Sequence, residues 1–315
     1  MKILAAFFRL MRWPNLVFIV ITQLLFYFCV YLPLLTEQPN EQIPFLFFLL
    51  IFSSVCIAAA GYIINDYFDI RIDAINKPNR VIINKFIKRR WAIVWHWLLS
   101  AMGVLISVYI SYKIKVWPIA IINLLCVFAL WFYSTIFKKK LLVGNLMIGA
   151  LTAWVILVVY LFAGADLFSL KGFEANTENL NVRRFFKFAL LYACFAFITT
   201  LIREVIKDLE DMEGDRKYDC NTMPIAWGVP ATKVFVGVWI VVTVAALSIV
   251  QLYAWQSGWW FAALYILLLV TLPSIFLIIK LKKANSSVDY HSLSNVIKLI
   301  MLFGILSMFL LKFAS

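Results

Sequence analysis

Nine stretches of nearly unbroken apolar residues alternate along the chain with short polar connections. A hydrocarbon core about 30 Å thick is crossed by roughly 20 helical residues, so the pattern predicts nine membrane-spanning helices. They are expected at about 14 to 35, 44 to 65, 91 to 112, 116 to 135, 141 to 164, 185 to 206, 231 to 254, 258 to 280 and 293 to 313, each end good to about two to four residues. An odd number of spans puts the termini on opposite sides. The first run follows Lys2, Arg9 and Arg12 as the core of a signal peptide would. It continues to spanning length without a small-x-small cleavage site, so it reads as a helix that stays.

Composition narrows this to an all-α integral membrane protein with one membrane domain, residues 1–315. Hydrophobic residues make up 64% and charged residues 14%, and mean hydropathy is +0.92, far from the charged fraction of about 25% in soluble domains. Cys29, Cys56, Cys126 and Cys194 sit in apolar runs and Cys220 stands alone, a spacing that suggests neither a disulfide framework nor a zinc site. The basic residues set orientation. Lys2, Arg9, Arg12, Arg71, Lys77, Arg80, Lys85, Lys88, Arg89, Arg90 and Lys138 to Lys140 fall on the N-terminal side. Lys113, Lys115, Lys171, Arg183, Arg184, Lys187 and Lys312 fall on the other. The positive-inside rule therefore predicts a cytoplasmic N-terminus and an outer C-terminus. The net charge of +13 is mostly this bias; it implies attraction to anionic membrane lipids, not to nucleic acid.

Most acidic residues gather in two clusters, "NDYFDIRIDAINKPNR" (Asn65 to Arg80) and "REVIKDLEDMEGDRKYD" (Arg203 to Asp219), both on the predicted cytoplasmic side. Asp66, Asp69 and Asp73 stand at relative positions 0, 3 and 7, and Asp208, Asp211 and Asp215 repeat the spacing. Offsets of three and four share a helical face, so each cluster is expected to be a helical carboxylate triad continuing the second or sixth span. Three stacked like charges need a cation among them. Oxygen ligands without convergent His or Cys favour Mg²⁺, or Mn²⁺, over zinc. Two facing carboxylate helices would hold two or three such ions around a diphosphate. The interspersed Arg71, Lys77, Arg80, Arg203, Lys207 and Arg216 suit an anionic ligand better than a bare cation path. A solvated mixed-charge loop is the plain alternative for one cluster, and repetition of the spacing argues against it. A cation transporter would place its ionisable residues near the midplane, whereas these lie at one face. Lys138 to Lys140 read first as topology markers, and His96 and His291 as incidental. The aromatics read as lipid-facing bulk and interfacial belt, some of them lining a substrate tunnel.

At these residues the sequence resembles the UbiA superfamily of intramembrane prenyltransferases. "NDYFDIRID" is similar to its Asn-x3-Asp-x3-Asp motif at Asn65, Asp69 and Asp73, with Asp66 as the common extra acid. "DLEDMEGD" is similar to its Asp-x3-Asp motif at Asp211 and Asp215, with Asp208 one turn earlier. "RWPN", "NKPNR", "YSTIFKKKLLVGN" and "NTMPIAWG" extend the likeness over most of the chain. Two departures stand out. A Tyr-x3-Lys pattern of some members would put the lysine at Phe137, whereas Lys138 comes five after Tyr133, and "NKPNRVI" lacks a second proline.

The resemblance implies a nine-helix UbiA-like bundle with a central cavity opening to the cytoplasm, and Mg²⁺-dependent transfer of a prenyl group from a polyprenyl diphosphate. It implies catalytic roles for Asp69, Asp73, Asp211, Asp215 and Tyr133, and metal binding by Asn65, Asp66, Asp69, Asp73, Asp208, Asp211 and Asp215. Diphosphate contacts would come from Arg71, Lys77, Arg80, Lys138, Arg203 and Lys207, and Arg12 and Asn15 would serve the acceptor or its entrance. Within the family the motifs are most like the geranylgeranylglyceryl-phosphate geranylgeranyltransferases and the related chlorophyll synthases, which implies a phosphorylated glycerol ether as acceptor. Aromatic acceptors of quinone synthesis, 4-hydroxybenzoate or dihydroxynaphthoate, use the same diphosphate machinery. The Asp-Gly-x2-Ala-Arg signature of CDP-alcohol phosphotransferases is missing.

Overall fold

The computed structural model describes residues 2–34, 42–78, 81–164 and 180–312. Among them, nine helices are long and apolar enough to cross a membrane: Trp13–Leu34, Gln42–Asn76, Arg89–Ile114, Trp117–Thr135, Val143–Ala163, Val182–Glu210, Val229–Gln256, Trp260–Lys283 and Ser287–Leu311. No named strand occurs among the described residues; Ile83 and Ile87 form one isolated bridge. Leu105, Ile249 and Phe261 are exposed on their helices, as side chains facing lipid tails are.

Local chemistry explains where the helices begin and bend. α1 (Lys2–Leu10) precedes α2 (Trp13–Leu25), and α3 (Gln42–Asn76) and α4 (Arg89–Ile114) follow. Both α5 (Trp117–Thr135) and the later Val229–Gln256 helix carry a proline in the first turn, where the missing N–H costs nothing. α2 widens into a π-turn at Phe26–Tyr31, where the Leu32 amide donates to the Tyr27 carbonyl. The eighth span repeats this at Leu267–Thr271, with Leu272 donating to Leu267. Each π-turn ends just before a proline, Pro33 or Pro273, whose ring would strike the carbonyl four residues back. The last span begins with a capping box: the Asp289 amide donates to Ser286 Oγ at 3.2 Å, and the Ser286 amide to Asp289 Oδ2 at 3.0 Å.

Contacts divide the chain into two compact units. Met1–Leu24, Leu34–Phe137 and Val155–Lys187 form the first, and Leu25–Pro33, Lys138–Trp154 and Phe188–Ser315 the second. In the first, Ala6, Leu10, Met11, Leu16, Ala59, Ile63, Ile82, Ile83 and Ala92 pack as one core. Buried hydroxyls and an amide stitch three of its helices: Ser53 Oγ donates to the Gly103 carbonyl at 2.7 Å and lies 2.7 Å from Ser107 Oγ, which accepts from Asn123 Nδ2 at 2.7 Å. In hydrocarbon, small and polar residues at helix interfaces replace the hydrophobic driving force that lipid removes.

In the second unit the core gathers Leu201, Val205, Ile206, Leu209, Val236, Ile240, Leu277, Leu293 and Ile297. Gly304 is needed for close approach, because a Cβ there would collide with the Phe195 ring. Gly304→Ala is expected to lower stability by about 1–3 kcal/mol through overpacking. Adding Phe195→Leu should recover most of the loss, as read by thermal unfolding of the detergent-solubilised protein.

Candidate functional site

The first acidic motif belongs to the first unit. α3 runs unbroken from Gln42 through Asn76, so Asn65, Asp69 and Asp73 share a face as the spacing predicts. Asp69 is buried, and Asn65, Asp66 and Asp73 are half-buried. Asn65 Nδ2 donates to Asp69 Oδ2 at 2.7 Å, which leaves Asn65 Oδ1 buried without a hydrogen-bond donor. An acceptor oxygen in that condition, beside carboxylates, suits a hard cation.

Asp66 is balanced differently. Arg12 Nη2 donates to its Oδ1 at 2.6 Å, and the guanidinium lies 5.4 Å from the centre of the Tyr62 ring. Coulomb attraction to Asp66 raises the Arg12 pKa above its already high ordinary value against the opposing effect of burial. Arg12 therefore stays a cation. It links α1 to α2 with φ of 52°, a left-handed conformation costly for a residue with a long side chain. Arg12, expected at the acceptor or its entrance, is thus the partner of a motif carboxylate, and Asn15 starts the next turn with its amide 2.8 Å from the Arg12 carbonyl.

The surrounding cations separate by exposure. Arg71 is exposed, about 200° around the helix from Asp69. Lys77 is half-buried where the helix ends, its amide donating to the Asp73 carbonyl at 2.8 Å. Arg80 lies outside the described residues. His96, expected to be incidental, is buried with Nδ1 3.0 Å from the Ala60 carbonyl, a brace between α4 and α3 just before the motif. Tyr133 is half-buried near the end of α5.

The second motif belongs to the second unit and departs from the expected continuous helix. With α6 at Val143–Ala163, α7 (Leu180–Glu210) stops before Asp211. Asp211 takes φ −99° and ψ 9°, and a new helix, α8 (Met212–Lys217), follows with Glu213 and Asp215 in its first turn. Carboxylates are favourable at that end because unpaired amides give a helix N-terminus partial positive charge. Asp215 is buried and Asp208 and Asp211 are half-buried.

Asp208 has a partner that the spacing did not indicate: Asn145 Nδ2 donates to its Oδ2 at 2.7 Å. Asn145 is the Asn of the "VGN" segment, quoted for its resemblance but given no role, and it follows Leu142, another left-handed residue with φ of 61°. Half-buried Lys138 sits in a short turn, Phe137–Lys139, and the Lys139 carbonyl accepts from the Asn221 amide at 2.8 Å. Arg203 and Lys207 both bind Glu204, at 2.9 Å each. His291 Nδ1 lies 3.0 Å from Glu210 Oε1, so this histidine is a structural partner, not an incidental one. The signal for Glu204 and His291 was present as ionisable residues inside or beside apolar spans; their partners were not.

Among the described residues no three His, Cys, Asp or Glu side chains gather as a ready-made ion cage. An ion held by these carboxylates would complete its shell from substrate oxygens and water.

Nine candidate spans among the described residues, with a carboxylate-rich motif in each compact unit, define a multi-pass membrane protein. The sequence matches the UbiA prenyltransferase family over residues 23–310. The chain belongs to that family and is a prenyltransferase. It is 28% identical over 261 residues to the digeranylgeranylglyceryl phosphate synthase of Methanosphaera stadtmanae, covering 82% of this chain and 86% of that one. A solved structure concerning digeranylgeranylglyceryl phosphate synthase in membranes shares the fold with a TM-score of 0.60 at 24% identity, over 98% of this chain and 99% of the other. A UbiA homolog from Archaeoglobus fulgidus bound to DMAPP and Mg²⁺ aligns with a TM-score of 0.57 at 14% identity, over 96% and 98%.

Side-chain exposures of 36% for Arg12 and 17% for Asp66 put their ion pair between surface and interior. A double-mutant cycle of Arg12→Met and Asp66→Asn is expected to give a coupling of about 1 kcal/mol in thermal unfolding; no coupling would mean the pair has no structural weight.

Proposed function

We propose that this protein transfers a geranylgeranyl group from geranylgeranyl diphosphate to the free hydroxyl of geranylgeranylglyceryl phosphate, with all 315 residues acting as one membrane domain. The observation that carries the metal half of this reading is the buried, donor-free Asn65 Oδ1 beside Asp69. The named relatives support the acceptor, and the metal of the Archaeoglobus fulgidus homolog supports Mg²⁺. Asn65, Asp69 and Asp73 from one motif and Asp208, Asp211 and Asp215 from the other would hold the ions. Asp66 is the least suited of the proposed ligands because Arg12 already balances it. Bound Mg²⁺ would neutralise the diphosphate and make it a better leaving group.

The chain's own residues do the rest. Lys77 and Lys138 bind the diphosphate, with Arg80 as the further cation of the first motif. Arg71 contributes only through the field, given its exposure. The allylic C–O bond breaks with its electron pair going to diphosphate. The acceptor hydroxyl oxygen forms the new C–O bond and passes its proton to the departing diphosphate. Tyr133 is the proposed aromatic group beside the developing allylic cation, where a ring face is stabilising. The apolar spans exclude water that would otherwise trap that cation. Asn145 positions Asp208, as a partner of a ligating carboxylate does. The N-terminus faces the cytoplasm and the C-terminus the other side, which places both motifs where a soluble diphosphate arrives.

A product screen by mass spectrometry, pairing prenyl diphosphates with glycerol-phosphate and aromatic acceptors, tests the acceptor. Digeranylgeranylglyceryl phosphate is the expected product, and transfer to 4-hydroxybenzoate or dihydroxynaphthoate alone would overturn the assignment. Asp69→Asn and Asp211→Asn should each abolish turnover, as should chelation, with Mg²⁺ restoring the wild type and Mn²⁺ substituting. Asn145→Leu should raise the Mg²⁺ concentration needed for half-maximal rate about 10-fold, and an unchanged Mg²⁺ profile would remove Asn145 from the site.

A further inference from the structure

With nine residues, α1 (Lys2–Leu10) is about 14 Å long, too short to cross a hydrocarbon core of about 30 Å. It is nevertheless apolar on two opposite faces. Ala6 and Leu10 are buried in one core with Ile82, Ile83, Ile87 and Ala92, and the Phe7 ring lies 4.4 Å from that of Trp95. Leu4 and Phe8, about 200° around the helix from Ala6, are exposed. The chain that α1 packs on, between α3 and α4, is shaped by the Ile83–Ile87 bridge and by the Asn84 amide, which donates to the Ile87 carbonyl at 2.9 Å. It buries its isoleucines and leaves Phe86 exposed, as the first turns of α4 leave Trp91. Within the first unit, α1 and residues 82–91 are therefore one platform with apolar side chains left over on its outside.

The charge of this platform is of one sign. Residues 1–36 and 74–165 contain no Asp or Glu, and the carboxylates of the first acidic motif lie on α3, outside both segments. Some of the cations are already engaged: Lys85 Nζ donates to the Pro78 carbonyl at 2.8 Å, Arg89 lies 4.4 Å from the centre of the Tyr67 ring, and Arg12 holds Asp66. Arg9, Lys88 and Arg90 are exposed, and their side chains make no hydrogen bond, ion pair or ring contact among the described residues. Their position supplies a neighbour. α1 leads into the first span, and Trp13 and Trp91 stand in the first turns of the first and third spans, which start from the same membrane face because successive spans alternate in direction. Tryptophan at the end of a span marks the level of the lipid headgroups. A short helix at that level, with apolar side chains outward and cations beside them, has the form of an interfacial helix. Water would suit the cations and leave Leu4, Phe8 and Phe86 uncovered, and hydrocarbon would do the reverse. A phospholipid with a negative headgroup satisfies both.

We propose that α1 and residues 82–91 form a binding surface for anionic phospholipid, in which Arg9, Lys88 and Arg90 meet the headgroup phosphate and the acyl chains cover Leu4, Phe8, Phe86 and Trp91. The surface is local. It is distinct from the general excess of cations along the chain, and it does not depend on the donor or the acceptor assigned above.

The test titrates the full chain, purified in a neutral detergent, with fluorescent phosphatidylglycerol and, separately, fluorescent phosphatidylcholine. Wild type should bind the anionic lipid at least about 10-fold more tightly than the zwitterionic one, as three cations near a headgroup imply. Arg9→Gln, Lys88→Gln and Arg90→Gln combined should erase that preference. Lys280→Gln, Lys282→Gln and Lys283→Gln combined, which remove the same charge from exposed positions of the second unit, should leave it unchanged. Equal loss in the two triple variants would overturn the proposal by reducing the effect to net charge, and so would a preference that survives the first. Arg9→Lys, Lys88→Arg and Arg90→Lys combined should bind as wild type does. Millimolar glycerol phosphate, which has the charge without the tails, should not displace the lipid, and displacement would overturn the assignment to lipid. A second measurement needs no variant: phosphatidylglycerol with a photoreactive acyl chain should mark wild-type peptides carrying Phe8, Phe86 or Trp91, and excess phosphatidylglycerol should suppress that marking where phosphatidylcholine does not. Marking of those peptides that both lipids suppress equally, or marking confined to the second unit, would overturn the surface.

Discussion

An ionised side chain at the edge of hydrocarbon persists only if another group balances it at bonding distance, and the site of this protein is organised around that constraint. Asp66 is met by Arg12 at 2.6 Å, Asp69 by Asn65 at 2.7 Å and Asp208 by Asn145 at 2.7 Å. The three partners differ in what they leave behind. A guanidinium cancels the charge, whereas an amide donor orients the carboxylate and brings no positive charge of its own. Carboxylates held by amides are therefore ready to meet a cation, and the one paired with arginine is already neutralised.

Backbone conformation serves these partners. Arg12 and Leu142, with φ of 52° and 61°, adopt a left-handed conformation that suits neither side chain, and each stands at or near the residue that reaches a motif carboxylate. Asp219, with φ of 54°, follows the second motif in the same way. Such local strain persists only where surrounding structure over-determines it. Here the long helices supply that rigidity, through hydroxyl stitching in the first unit and close glycine packing in the second.

The spans and the first motif were legible because both rest on period and length, which are local properties. α3 carries its acids on one face since nothing in "INDYFDIRIDAIN" interrupts the helix. The same spacing misled at Asp211, where α7 ends and α8 begins, because an identical 0, 3, 7 pattern does not report whether the hydrogen-bond ladder continues. Arg12 resembled part of an acceptor entrance, and its bond to Asp66 came from a contact 54 positions away. His291 carried no motif at all; its meaning is its partner Glu210, 81 positions earlier.

The sequence by itself determined the solvent, the number of spans, the family and the residue types able to handle a diphosphate, since hydropathy, helical period and motif spacing are all written in near neighbours. Only the tertiary structure decided which carboxylate is met by a guanidinium and which by an amide. Charge balance in a low-dielectric interior depends on distances of a few ångströms between residues far apart in the chain, and those distances exist only once the helices have packed.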